Sequence, residues 1–174
     1  MEEKRTFMRI PTRLRGFLRL LAHPDDVPLF RETPPLGACE GLPDSRDPGM
    51  SEALYAMLCT INAKLDMLLS MHSREQINAD FPVSIDITEI SGAGIRFITE
   101  SSLPVEQHVE AVIVLSRFPL RMAGAIGRIL RQENQDTQPV YALDFTRIRE
   151  RDLEHIVQFV FQSQRDELRG NKWD

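Results

Sequence analysis

The chain has 174 residues, 42% hydrophobic and 27% charged, with a formal net charge of −5. That is enough apolar material for one packed domain, or a small domain with an appendage, and it excludes a disordered chain. The acidic total argues against nucleic-acid binding over the whole surface, and no apolar run approaches the roughly 18 residues of a membrane helix.

The charge is unevenly spread. Residues 1–22 hold Lys4, Arg5, Arg9, Arg13, Arg15 and Arg19 against Glu2 and Glu3, a net +4, which leaves −9 for the remainder. A cationic arm on an acidic body suits a small anionic ligand or a local anionic partner. The opening, MEEKRTFMRIP, lacks the continuous apolar core of a secretory signal. A first strand is expected over Arg9–Leu21. Ile10, Leu14, Leu18 and Leu20 take even positions and Arg9, Arg13, Arg15 and Arg19 odd ones, so a period of two puts the aliphatics on one face and the arginines on the other. The arginine face is either ligand-facing or simply solvated. Pro11 suits a strand start or edge.

From His23 to Gly49 the texture changes. Six of the eleven prolines and three glycines fall here, so the tract reads as a linker or a loop draped over the surface. His23, Asp25 and Asp26 have no second cluster to complete a metal site and read as solvated. Cys39 in this tract and Cys59 beyond it are expected to be reduced thiols of a cytoplasmic protein.

Ser51–Gln76 is the clearest helix, with Ser51 as N-cap after the Pro48–Gly49 break. Leu54, Leu58, Ile61, Leu65, Leu68 and His72 step by 4, 3, 4, 3 and 4, a heptad seam held for nearly three heptads, with Met50, Met57 and Met71 beside it. A helix packed on its own domain usually shows a wider stripe of period 3.6. The strict 4–3 step behind a proline-rich tract favours self-association, in a bundle of more than two helices, since a pair this short is marginal.

After Asp80 the pattern becomes β. Val83, Ile85 and Ile87 alternate, Ser91–Gly94 breaks the run, and Ile95 and Phe97 resume it. Val109–Leu115, Met122–Leu130 and Val140–Phe145 follow, separated by turn-rich stretches such as TESSLPVEQ and RQENQDTQP. Six short strands, the last five with no helix between them, describe a mainly β fold, a small antiparallel barrel or sandwich. A closing helix over Glu150–Leu168 carries Leu153, Ile156, Val157, Val160, Phe161 and Leu168 as an apolar stripe, expected to pack over one end of the barrel.

Three blocks, in this order, make the chain resemble a PilZ domain, the bacterial receptor module for cyclic di-GMP. KRTFMRIPTRLRGFLRL resembles the family's opening, with its Arg-x-x-x-Arg motif at Arg5 and Arg9. EISGAGIRF sits where the family has Asp/Asn-x-Ser-x-x-Gly and reads Glu89-x-Ser91-x-x-Gly94, with Glu in place of Asp or Asn. YALDFTRIRERDLEHIVQFVF is similar to the family's last strand and closing helix. The resemblance implies a six-stranded antiparallel PilZ-type β-barrel with a C-terminal helix, formed by residues 1–22 and 79–170. It makes residues 23–49 a linker and 50–78 an inserted oligomerisation helix built on Leu54, Leu58, Ile61, Leu65 and Leu68. That insertion resembles a tetrameric variety of the family that assembles through long helices.

The chemistry of the motif residues agrees with such a ligand. Arginine presents a planar fork of donors that matches guanine O6 and N7 as well as phosphate oxygens. A carboxylate accepts from guanine N1–H and N2–H groups, Ser91 can donate or accept, and Gly94 permits close backbone approach or positive φ. Arg5, Arg9, Glu89, Ser91 and Gly94 are therefore the expected ligand-binding residues, and cyclic di-GMP is expected to order the arm. The alternative is a ligand-independent oligomeric scaffold that presents the barrel to another protein. No catalytic spacing such as G-x-x-x-x-G-K or H-E-x-x-H occurs, so no enzyme, cofactor, DNA or membrane-span function is expected.

Overall fold

The computed structural model describes residues 7–31, 49–117, 120–135 and 138–170. Their elements, in order, are β1 (Arg9–Leu20), α1 (Glu52–Asp80), β2 (Val83–Ser91), β3 (Gly94–Ile98), β4 (His108–Arg117), β5 (Leu120–Gln135), β6 (Gln138–Ile148) and α2 (Glu150–Gly170). The six strands close into an antiparallel barrel in the order β1-β2-β3-β6-β5-β4, with β4 returning to β1.

Alternation along the strands fills the interior. Ile10 and Leu18 of β1, Ile85, Ile87 and Ile90 of β2, and Val109, Ala111, Ile113 and Leu115 of β4 point inward and are buried. Arg9, Arg13 and Arg15 stand exposed on the opposite face of β1, as the period of two requires, although a bulge between Pro11 and Leu14 inserts one extra residue against β2. Leu20, expected inside, is exposed although it still pairs with Val109 of β4, and its neighbour Leu21 is buried instead. Tyr141 stacks on Phe97 with ring centroids 5.5 Å apart, and its hydroxyl accepts from the Leu103 N–H at 3.2 Å. A buried phenol keeps its oxygen partnered in this way.

β5 runs beyond the expected Met122–Leu130. The polar run read as a turn continues the strand because β6 pairs with it, Gln132 opposite Tyr141 and Glu133 opposite Val140. Ladder hydrogen bonds, not side-chain hydrophobicity, hold that extension. α2 lies over the barrel, with Ile156 and Val160 in the same buried cluster as Ile85 and Ile113. Phe161 and Leu168, expected in its packed stripe, are exposed: Phe161 follows buried Val160 but points to another side of the helix, and Leu168 lies beyond the turns in the buried cluster.

Ser51 caps α1, its hydroxyl accepting from the Leu54 N–H at 3.2 Å. The C-terminal end of α1 is anchored to the outer barrel wall: Ile77 and Phe81 pack with Phe30, Val112, Leu120 and Met122 in a second buried cluster. Toward its N-terminus the seam residues Leu54, Leu58, Ile61, Leu65 and Leu68 are 43–63% exposed. Cys59, expected as a reduced thiol, is disulfide-bonded, because separation along the chain carries no information about approach in space. Cys39 lies outside the described residues.

The start of the proline-rich tract packs on the barrel. Glu110 of β4 is only 1% exposed. Its carboxylate accepts from Arg19 Nε at 2.6 Å and from the backbone N–H groups of Leu29 (3.0 Å) and Phe30 (2.8 Å). The Arg19 guanidinium also donates to the Val27 carbonyl at 2.9 Å. Upstream, Asp26 accepts from the Ala22 and His23 N–H groups at 3.0 and 3.1 Å, and the His23 bond is the main reason its carboxyl sits below the usual range. Among the described residues no His, Cys, Asp and Glu side chains are grouped as a metal site, and no helix is long and apolar enough to cross a membrane.

Candidate ligand-binding site

The β2–β3 hairpin sets the site. Its two-residue turn, Gly92–Ala93, joins Ser91 to Gly94, which pair directly. β1 runs along the other edge of β2 with Arg9 opposite Ser91. β6 runs along β3 with Asp144 opposite Gly94. With β5, the next strand after β6, five strands converge on an open depression of about 440 Å³, lined by Arg9, Glu89, Gly94, Arg96, Arg131 and Asp144 together with apolar wall residues.

Arg9, Glu89 and Gly94, expected in the site, all line this depression. Arg5 lies outside the described residues. Ser91 is 2% exposed and serves the turn: its hydroxyl accepts from the Ala93 N–H and donates to the Gly94 carbonyl, both at 3.2 Å. Gly94 does not have positive φ. Its missing side chain is required by close packing, since a Cβ there would overlap the Leu143 carbonyl of β6. A backbone carbonyl in a ladder cannot move aside cheaply, so Gly94→Ala is expected to cost about 1–3 kcal/mol in urea denaturation. Gly49→Ala is the control, because nothing lies within 4 Å of a Cβ at that position.

Three members of the site were not expected. Arg96 stands opposite Glu89 in the hairpin register and donates to its carboxylate at 3.1 Å. It also donates to Glu133 of β5, whose other oxygen takes Arg131 Nε at 2.6 Å. Arg96 Nε is buried and has no partner. Opposite charges facing each other across a hairpin are a readable signal once the turn is placed at Gly92–Ala93, so Arg96 was open to inference. Arg131 and Asp144 carry no such signal, because they reach the site through the pairing of β6 with β3 and of β5 with β6, strands far apart in sequence from the hairpin.

Chemically the depression offers three guanidinium groups, on Arg9, Arg96 and Arg131, around the carboxylates of Glu89 and Asp144. Planar donor forks bind phosphate and purine edges in pairs of hydrogen bonds, and carboxylates accept from N–H edges. A small anion bearing heterocyclic bases meets both needs.

The PilZ domain family model matches residues 69–162. No curated protein matches the chain. Among solved structures it is similar to the Bacillus subtilis inhibitor of motility MotI/DgrA, at 12% identity and a TM-score of 0.53, covering 94% of this chain and 53% of that one. It is also similar to a pathogenic protein from Xanthomonas campestris, a tetrameric PilZ domain self-assembled via a helical bundle, at 16% identity and a TM-score of 0.55, covering 94% and 92%. A third likeness is to Escherichia coli YcgR in complex with c-di-GMP, at 8% identity and a TM-score of 0.55, covering 97% and 50%. The chain thus spans about half the length of the Bacillus and Escherichia proteins. At these identities the likeness is one of fold.

Proposed function

The chain belongs to the PilZ domain family, and from that membership we propose that it is a non-enzymatic receptor for cyclic di-GMP whose ligation changes its arm or its partner contacts. The observation that carries this reading is that Arg9 of β1 and Glu89 of β2 line one depression. The similar fold of YcgR, solved with c-di-GMP, supports the choice of ligand. In this reading Arg9, with Arg5 before it in the arm, binds guanine and phosphate, and Glu89 accepts from a guanine N–H edge. Ser91 and Gly94 shape the turn beneath them. No cofactor is needed, and a downstream protein reads the ligated state.

Calorimetry with cyclic di-GMP tests this. Binding is expected for the native chain, and Arg9→Ala is expected to weaken it about tenfold to a hundredfold, the worth of one lost bidentate contact. Its melting temperature should not fall, since Arg9 is exposed. Absence of heat and of any ligand-induced melting shift at tens of micromolar native protein would rule the receptor out.

A second reading concerns assembly and is compatible with the first. The exposed seam of α1 favours a bundle made of further copies of this chain, residues 50–78 forming the assembly helix and residues 1–22 and 79–170 the receptor unit. The tetrameric Xanthomonas protein of similar fold supports it. Should ligand binding fail, this scaffold is the function that remains.

A further inference from the structure

The turn that edges the depression also touches the arm. Gly92 is buried, and a Cβ built on it would lie 2.7 Å from Cε1 and 3.0 Å from Cγ of Phe7, with Cδ1 nearer still. The Phe7 ring therefore rests against the α-carbon of Gly92. No described glycine has positive φ, so turn geometry does not demand a glycine at this position. The ring's approach does, because any side chain would occupy its place.

Phe7 precedes Arg9 by two residues, roughly 7 Å of strand-like chain. Arg9 itself starts the β1–β2 ladder opposite Ser91 and lines the depression. The arm is thus held at two neighbouring points of one turn, by an aromatic contact and by a strand pair. Phe7 is still 38% exposed, so the contact with Gly92 covers only part of the residue.

We propose that Phe7 is a positioning residue: its ring, seated on Gly92, pins the arm to the β2–β3 turn and so holds the Arg9 guanidinium over the depression. This rests on the reading of the depression as the cyclic di-GMP site. Gly92 is then part of the binding apparatus although it touches no ligand, and the small residue after Ser91 has a reason independent of hairpin geometry.

Amide hydrogen exchange of Met8, Arg9 and Ile10 without ligand, together with calorimetry using cyclic di-GMP, tests the proposal on the full chain. Phe7→Ala and Gly92→Ala are each expected to speed that exchange about tenfold and weaken cyclic di-GMP about tenfold. Phe7→Leu, which keeps an apolar group on the glycine, is expected to restore both toward native values. Unchanged exchange in Gly92→Ala overturns the anchor. Faster exchange with unchanged affinity overturns the positioning role. If the native chain binds no cyclic di-GMP while both variants still speed exchange, the receptor reading has failed and the anchor stands.

Discussion

Glu110→Ala is expected to lower stability by about 3 kcal/mol, or about 6–12 °C in melting temperature for a chain of this size. With Asp152 the residue is one of two charged side chains buried among the described residues. Removing it strands three donors at once. The Phe30 N–H is buried, and an orphaned buried donor costs about 1–3 kcal/mol. Arg19 loses its 2.6 Å partner, but its side chain is 18% exposed, so water recovers part of that loss. The effect should extend beyond the ion pair. Glu110 holds Leu29 and Phe30, and Phe30 fills the space that Gly124 leaves open and packs beside Ile77 and Phe81. Releasing that segment frees the anchor of α1. Glu110→Gln keeps the shape and one acceptor but points an amide donor at Arg19 or at a backbone N–H, so about half of the loss should remain. Urea denaturation of the native chain and both variants measures this, and proteolysis within residues 22–31 should rise in the same order. A loss below about 1 kcal/mol for the alanine variant would mean that this segment is not held by Glu110.

The second large effect is on assembly. Leu58→Lys together with Leu65→Lys is expected to convert the proposed bundle to monomer at micromolar concentration, read by sedimentation. A fully buried Leu or Ile is worth about 1.5–3 kcal/mol, and with about half of each seam side chain exposed, roughly 1 kcal/mol per residue remains to be gained. Ten seam residues in a pair of helices then give about 10 kcal/mol, which falls within the about 4–15 kcal/mol that association costs. A simple pair is therefore marginal, while a four-helix bundle covers each helix on two sides. Two lysines per chain would place eight charges in that core. Barrel melting should be nearly unaffected, since both positions are remote from the Ile77 and Phe81 anchor. A native chain that sediments as a monomer, or a double variant of unchanged mass, contradicts the bundle.

Much of this could be read along the chain. Alternation at Ile10, Leu14 and Leu18 and at Val83, Ile85 and Ile87 marked strands, and 4–3 spacing marked the seam of α1. Each signal sits in consecutive residues and reports which side of a local element is apolar. Even the Glu89–Arg96 pair belongs to this class, because a two-residue turn makes its partners computable.

The buried acid was hidden by the same logic. Glu110 alternates outward from Val109 and Ala111 as a solvated residue would, and only the apolar Val112 and Val114 on its face hint that something covers it. What does cover it is a loop some 80 residues away in sequence, whose composition suggested no fixed place. Likewise Arg131 and Asp144 share a depression with Arg9 only because β6, distant in sequence, pairs with β3 and carries β5 beside it. The sequence by itself determined the elements, their apolar faces and the family motifs, since these depend on neighbours a few residues apart. Tertiary structure alone decided which distant charges share a depression and which carboxylate is sealed from water, because closure of a barrel and docking of a loop depend on contacts that no local period encodes.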